Sequence, residues 1–185
     1  MIFKKLILFI IISFTAGKLF SLPPLPDHLS FAPGYSRILS SSVTNEFRQG
    51  FSFDFEYAQH LTSVEYEHVS YIIVPFKYCK YDDNSHFGSL GGGYRYWFSR
   101  VKKASPFIQY SLTFDQLYST KNHFGIGNTI AGGYSLKIKE AILFLQVAYN
   151  HTYFPGWFFT SRGNYQELSI LAGIRFYVRN CDCSH

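Results

Sequence analysis

The sequence predicts an all-β fold, an eight-stranded antiparallel transmembrane β-barrel, and three observations carry that prediction. Phe, Tyr and Trp make up 20% of the 185 residues, while charged residues make up only 16%. From Gln49 onward the dominant periodicity is two, with turn-forming residues between the segments. Beyond the amino-terminal segment, no apolar run is long enough for a membrane helix. Soluble domains carry about a quarter charged residues, so this balance favours a chain that meets lipid. In hydrocarbon every backbone N–H and C=O needs an internal partner, which only helices and closed sheets provide. The competing architecture is an aromatic-rich soluble sandwich or barrel, secreted or periplasmic.

The amino end has the pattern of an export signal. Lys4 and Lys5 supply positive charge, Leu6 to Phe14 is an apolar run broken only by Ser13, and small residues follow at Thr15, Ala16, Gly17 and Ser21. The run is too short to span a bilayer, so removal is expected, with cleavage after Gly17 or after Ser21. Residues 1–21 are therefore assigned to the signal. Residues 22–185 form a single barrel domain with a short carboxy-terminal tail, about 165 residues long after processing. Leu22-Pro23-Pro24-Leu25-Pro26 is an extended lead-in.

In Phe51-Ser52-Phe53-Asp54-Phe55-Glu56-Tyr57 the aromatics take every odd place. A strand sends successive side chains to opposite faces, so one face is aromatic and the other polar. Aromatics outward and polar groups inward are what a membrane barrel requires, the inverse of a soluble one. The same reading places strands at 28–41, 49–61, 64–79, 87–98, 106–118, 124–138, 141–153 and 165–178. Polar turns separate them at Asp82-Asp83-Asn84-Ser85, at Lys102-Lys103, at Lys121-Asn122-His123 and, tightly, at Lys139-Glu140. Pro155-Gly156 to Gly163-Asn164 is a longer loop. Pro33-Gly34 interrupts the first strand, which alternates poorly. Glycines inside strands, at Gly91-Gly92-Gly93, Gly132-Gly133 and Gly173, permit the close approach and sharp coiling of a narrow barrel. Asp54, Glu56 and Arg95 are expected to point inward and to be paired.

The formal net charge is +5, yet after the signal the basic residues are scattered, and the densest cluster, Arg100, Lys102 and Lys103, lies between strands. Contact with anionic lipid at a bilayer rim is the simpler use of this charge, and no nucleic-acid partner is expected. Cys79, Cys181 and Cys183 are an odd set for an exported chain. Cys181, Cys183 and His185 lack a fourth ligand and sit in a tail, so they read as incidental, and neither metal nor cofactor is expected. At about eight strands the interior is filled by side chains, which excludes an open diffusion pore. Interfacial chemistry, binding through loops and mechanical anchoring remain. No nucleotide loop, zinc signature or Gly-x-Ser-x-Gly elbow occurs.

The seventh segment reads Gln146-Val147-Ala148-Tyr149-Asn150-His151-Thr152-Tyr153-Phe154, and Gln166-Glu167 enters the last strand. With Ser105-Pro106-Phe107-Ile108-Gln109-Tyr110 opening the fifth, the order and spacing of these parts resemble the bacterial outer-membrane lipid A deacylases, the acyloxyacyl hydrolase-like family. The resemblance covers most of the chain after the signal. It implies an outer-membrane location, lipid A or another glycolipid as partner, and removal of an acyl chain by ester hydrolysis. In that family the seventh strand carries His-x-Ser followed by Asn, and a Glu opens the eighth. Ser is the nucleophile, His its base, and Glu orients the His.

His151 matches that pattern. Strand parity sets it outward with Leu143, Leu145, Val147 and Tyr149, as the family requires. Tyr153, however, occupies the place of the Ser, Phe154 that of the Asn, and Gln166 that of the Glu. Glu167 is directed inward unless a bulge shifts the register. Thr152 supplies a hydroxyl beside His151 but faces the other way. His151, Thr152 and Glu167 are thus the candidate catalytic residues, and an incomplete triad is expected, with Tyr153 beside His151 and Glu167 turned away. Two functions remain open: an acyl-ester hydrolase of the lipid A deacylase type, altered or lost, and a non-catalytic outer-membrane barrel that anchors the envelope or binds partners through its loops. In the second, Tyr149, His151 and Tyr153 belong to an interfacial girdle.

Overall fold

In a computed structural model of the chain, residues 27–42, 48–61, 69–81, 85–98, 104–119, 122–139, 141–156 and 162–178 are described. The expected signal, the arginine–lysine cluster at 100–103, and Cys181, Cys183 and His185 lie outside them. Eight strands follow in chain order: β1 (His28–Ser41), β2 (Gln49–His60), β3 (Val69–Tyr81), β4 (His86–Trp97), β5 (Ala104–Tyr118), β6 (Asn122–Ile138), β7 (Ala141–Phe154) and β8 (Gly163–Tyr177). Each pairs antiparallel with its sequence neighbours, and β8 returns to β1, closing the barrel. The fold class read from the sequence is the one adopted.

The boundaries differ modestly from expectation. β3 runs on to Tyr81, two residues past the expected end at 79, and the expected start at 64 falls outside the described residues. β5 begins at Ala104, before Pro106, because a proline near a strand end removes a hydrogen bond that the ladder there can spare. The suspected break in β1 is absent. Pro33 pairs in register with Phe53, while neither Ala32 nor Pro33 is laddered to β8, and pairing resumes at Gly34. At Gly34 an added Cβ would meet the carbonyl of Ile170, so only a glycine lets β1 approach β8 this closely. The tight turn between β6 and β7 is a two-residue hairpin joining Ile138 to Ala141, and Lys139 takes the positive φ of 52° that such turns demand.

Parity divides the strands into two faces of opposite chemistry. Phe114 (74% exposed) and Ile130 (58%) stand out from the wall, and so do Phe31, Phe53, Phe55, Leu112 and Leu145. A continuous apolar belt of this extent is tolerated when hydrocarbon covers it. Inside, the layers run from one rim to the other. His28, Tyr71, Trp97 and Tyr177 close the end where β1 begins and β8 ends, here called the terminal end, with ring centroids 4.4–5.9 Å apart. Ile38, Cys79, Tyr81, Phe87, Leu117, Phe154 and Tyr165 close the opposite end, here called the loop end. Between these two plugs lies a polar layer. The described interior is thus filled by side chains, as its strand number requires.

Candidate functional site

The polar layer holds the described strand carboxylates, and most are engaged. Arg95 donates to Oε2 of Glu56 at 2.5 Å and to Gln109 at 2.6 Å, and Ser30 donates to Glu56 at 3.3 Å. Glu56 and Arg95 therefore face inward and pair, as the alternation indicated. Asp54 also faces inward, lining a small internal cavity with Glu56 and Arg95, but its Oδ1 makes no hydrogen bond. Lys77 is the register partner of Asp54 across β2 and β3 and attracts it electrostatically, while the close ion pair of Lys77 is with Glu167.

Glu167 is fully buried. Nζ of Lys77 donates to its Oε1 at 2.7 Å, the Tyr165 hydroxyl donates to Oε2 at 2.9 Å, and Ser169 donates to Oε1 at 3.1 Å. Ser169 is itself bonded to Ser36 at 2.8 Å. A bulge does occur beside Glu167, but on β1, between Ile38 and Ser40, opposite Glu167 and Gln166. The extra residue is Leu39, so β8 keeps its register and Glu167 stays inside.

Thr152 is fully buried as well. Its hydroxyl donates to Oδ2 of Asp115 and accepts from Nδ2 of Asn150 at 3.3 Å. His151, one residue earlier, is half-buried on the outer wall near the loop end. Its cross-strand neighbours are Asn128 on β6 and Gln166 on β8. Tyr153, two residues on, is exposed on the same face.

The three candidate residues are therefore not brought together. His151 is separated from Thr152 and Glu167 by the backbone of its own sheet. A general base must lie within about 2.6–3.2 Å of the proton it takes, with some looseness before substrate binds, and a barrel wall cannot be bridged by that margin. Lys77 and Asp115, the partners that hold Glu167 and Thr152 inside, did not stand out in the sequence analysis. Their inward parity marks them, since each alternates with outward aromatics: Lys77 between Phe76 and Tyr78, Asp115 after Phe114.

Arg175 has a different environment. Its guanidinium carbon lies 3.8 Å from the ring centroid of Phe144, 4.6 Å from Phe107 and 5.7 Å from Trp97. Nη1 donates to Ser135 at 2.9 Å, while Nε and Nη2 make no hydrogen bond. The aromatic faces attract the cation in place of a carboxylate. This arrangement braces the terminal plug and offers no route for a reacting group.

No family model and no curated protein sequence matches the chain. Solved structures do. Neisserial surface protein A superposes with a TM-score of 0.63 at 15% identity, covering 81% of this chain and 96% of that one. The outer-membrane enzyme PagL gives 0.48 at 10% identity, over 77% and 97%. Ail, the attachment invasion locus protein of Yersinia pestis, gives 0.43 at 10%, over 82% and 99%. At such identities the likeness is one of fold: a closed eight-stranded antiparallel barrel of the kind found in small outer-membrane proteins.

Proposed function

We propose that the protein is a non-catalytic outer-membrane barrel, exported by its amino-terminal signal, which anchors in the envelope and carries its loops for contact with partners outside. The observation supporting this reading is the separation of His151 from Thr152 and Glu167 across the barrel wall. The hydroxyl and the acid that hydrolysis would need serve as hydrogen-bonding fill, and both are already matched by Asp115 and Lys77. The apolar belt supports membrane insertion, and in the orientation proposed here the end where β1 begins and β8 ends faces the periplasm. The loop end then faces outward, and lipid A or a related glycolipid is the lipid its wall meets.

Mass spectrometry of lipid A from cells with and without the protein tests this reading. Identical acylation is the expected result. Loss of one acyl chain that depends on the protein, and is abolished by His151→Ala, would overturn it and restore the ester hydrolase. Recovery of the chain as a detergent-free periplasmic monomer would remove the membrane assignment.

A further inference from the structure

Charge is distributed unequally between the two faces of the wall. The carboxylates of the described strands, Asp54, Glu56, Asp115 and Glu167, all take inward positions. The charged side chains that these strands turn outward are Arg37 on β1 and Lys80 on β3, both cations, both exposed, and both within a turn of the loop end. A charge on the lipid side is costly at mid-height and nearly free at the interface, so the position of these two is understandable. Their common sign is a separate fact and calls for an anion.

A groove of about 350 Å³ opens on the outer wall beside Lys80, between β2 and β3, within the size range of ligand sites (about 300–1,000 Å³). Phe51, Phe53 and Tyr78 line its part nearer mid-height, and Gln49 and Lys80 form its lip. The lining is held in place from both sides. The Tyr35 hydroxyl donates to Oε1 of Gln49, the Tyr78 hydroxyl lies 2.6 Å from Nδ1 of His86, and Phe51 meets Phe53 edge-on at 4.7 Å. Arg37 is the register partner of Gln49 and so stands beside the lip from the next strand. The result is an aromatic slot directed into the bilayer, topped by hydrogen-bonding groups and two cations at headgroup level.

We infer that this groove is a binding site for a phosphorylated glycolipid of the lipid A class, in the leaflet at the loop end. An acyl chain lies along Phe51, Phe53 and Tyr78. The sugar hydroxyls meet Gln49 and Tyr78, and a phosphate is held between Lys80 and Arg37. The inference rests on the outward orientation of the loop end proposed above. It adds a site and a ligand chemistry on the opposite side of the barrel from His151, and it needs no reaction.

The full chain, folded in detergent micelles, would be titrated with bisphosphorylated hexa-acyl lipid A and followed by native mass spectrometry. Dephosphorylated lipid A and phosphatidylglycerol serve as comparison probes. A basic side chain near an anionic surface contributes about a fivefold change in binding. Lys80→Gln and Arg37→Gln should therefore each weaken lipid A binding by about that factor and flatten its salt dependence, and the pair should do so more strongly. Lys139→Asn, which removes a cation at the opposite rim, should leave binding as it was. Lys80 and Arg37 are both exposed, so folding should survive, and heat-modifiable gel mobility checks it. Unchanged affinity in Lys80→Gln and Arg37→Gln would overturn the site, as would phosphatidylglycerol binding as tight as lipid A, or an equal loss with Lys139→Asn. Failure here leaves the envelope role intact, because that role is tested by fractionation and by lipid A acylation.

Discussion

Nζ of Lys77 lies 2.7 Å from Oε1 of Glu167 across the interior of the barrel, from β3 to β8, two strands that are not neighbours in the sheet. The ammonium also donates to Ser169 at 2.5 Å, and Tyr165 donates to the other carboxylate oxygen. Ion pair and hydroxyls together tie one wall of the barrel to another. A carboxylate so bound is committed to holding the interior together, which is why its place in the sequence, at the opening of the last strand, is a poor guide to its role.

That commitment has a measurable consequence. Lys77→Met leaves the Glu167 charge buried without its cation, and the loss should be about 3–5 kcal/mol, as for other buried pairs that lose one member. Adding Glu167→Gln removes the charge and should recover most of the loss. Urea unfolding in lipid vesicles checks both. Additive losses in the double variant would show that the two groups do not act as a pair.

Thr152 should report on stability and not on chemistry. Thr152→Val keeps the shape and removes the hydroxyl that Asp115 accepts from. A cost of about 1–3 kcal/mol is expected, the penalty for a buried acceptor left short of a donor. Lipid A acylation should be untouched. An acylation change with no change in the unfolding midpoint would contradict the role assigned to Thr152.

The glycine triplet of β4 separates close approach from open wall. Added Cβ atoms at Gly91 and Gly93 would meet the carbonyls of Leu112 and Tyr110, whereas at Gly92 nothing lies within 4 Å. Gly93→Ala should therefore cost about 1–3 kcal/mol as an overpacked site. Gly92→Ala, on the outer face, should be neutral or should stabilise by a few tenths, through a less flexible unfolded chain. Equal effects at the two positions would invalidate the inward and outward assignment of this strand.

The apolar belt is tested by a single charge. Val147 is exposed at the middle of β7, and Val147→Arg should cost about 2–4 kcal/mol, the penalty for a cation at the midplane on the lipid side. Refolding yield in vesicles and the heat-modifiable gel band measure it. A variant as stable as the parent would place Val147 in water and argue for the soluble barrel instead.

Much of this architecture is already present in the order of the residues. Alternation of Phe51, Phe53 and Phe55 with Ser52, Asp54 and Glu56 assigns faces along β2, because a strand has no other way to direct successive side chains. The same rule sets His151 apart from Thr152, and Gln166 apart from Glu167. Pro33 was the misleading residue: an interruption in the local pattern proved compatible with a continuous strand, since the partner strands on either side held the register.

What only the tertiary structure decided was which inward groups meet. Glu56 finds Arg95 and Glu167 finds Lys77 across 39 and 90 residues of chain, while Asp54, with the same parity, leaves one oxygen unpaired. Arg175 is set against three aromatic rings. Alternation tells a side chain which face to take, since that depends on its own backbone. Its partner depends on closure of the sheet, on the stagger between strands and on the bulge at Leu39, which arise from all eight strands together. The aromatic slot beneath Lys80 has the same origin, being a property of two neighbouring strands and of the hydroxyls of Tyr35 and Tyr78 that hold its edges.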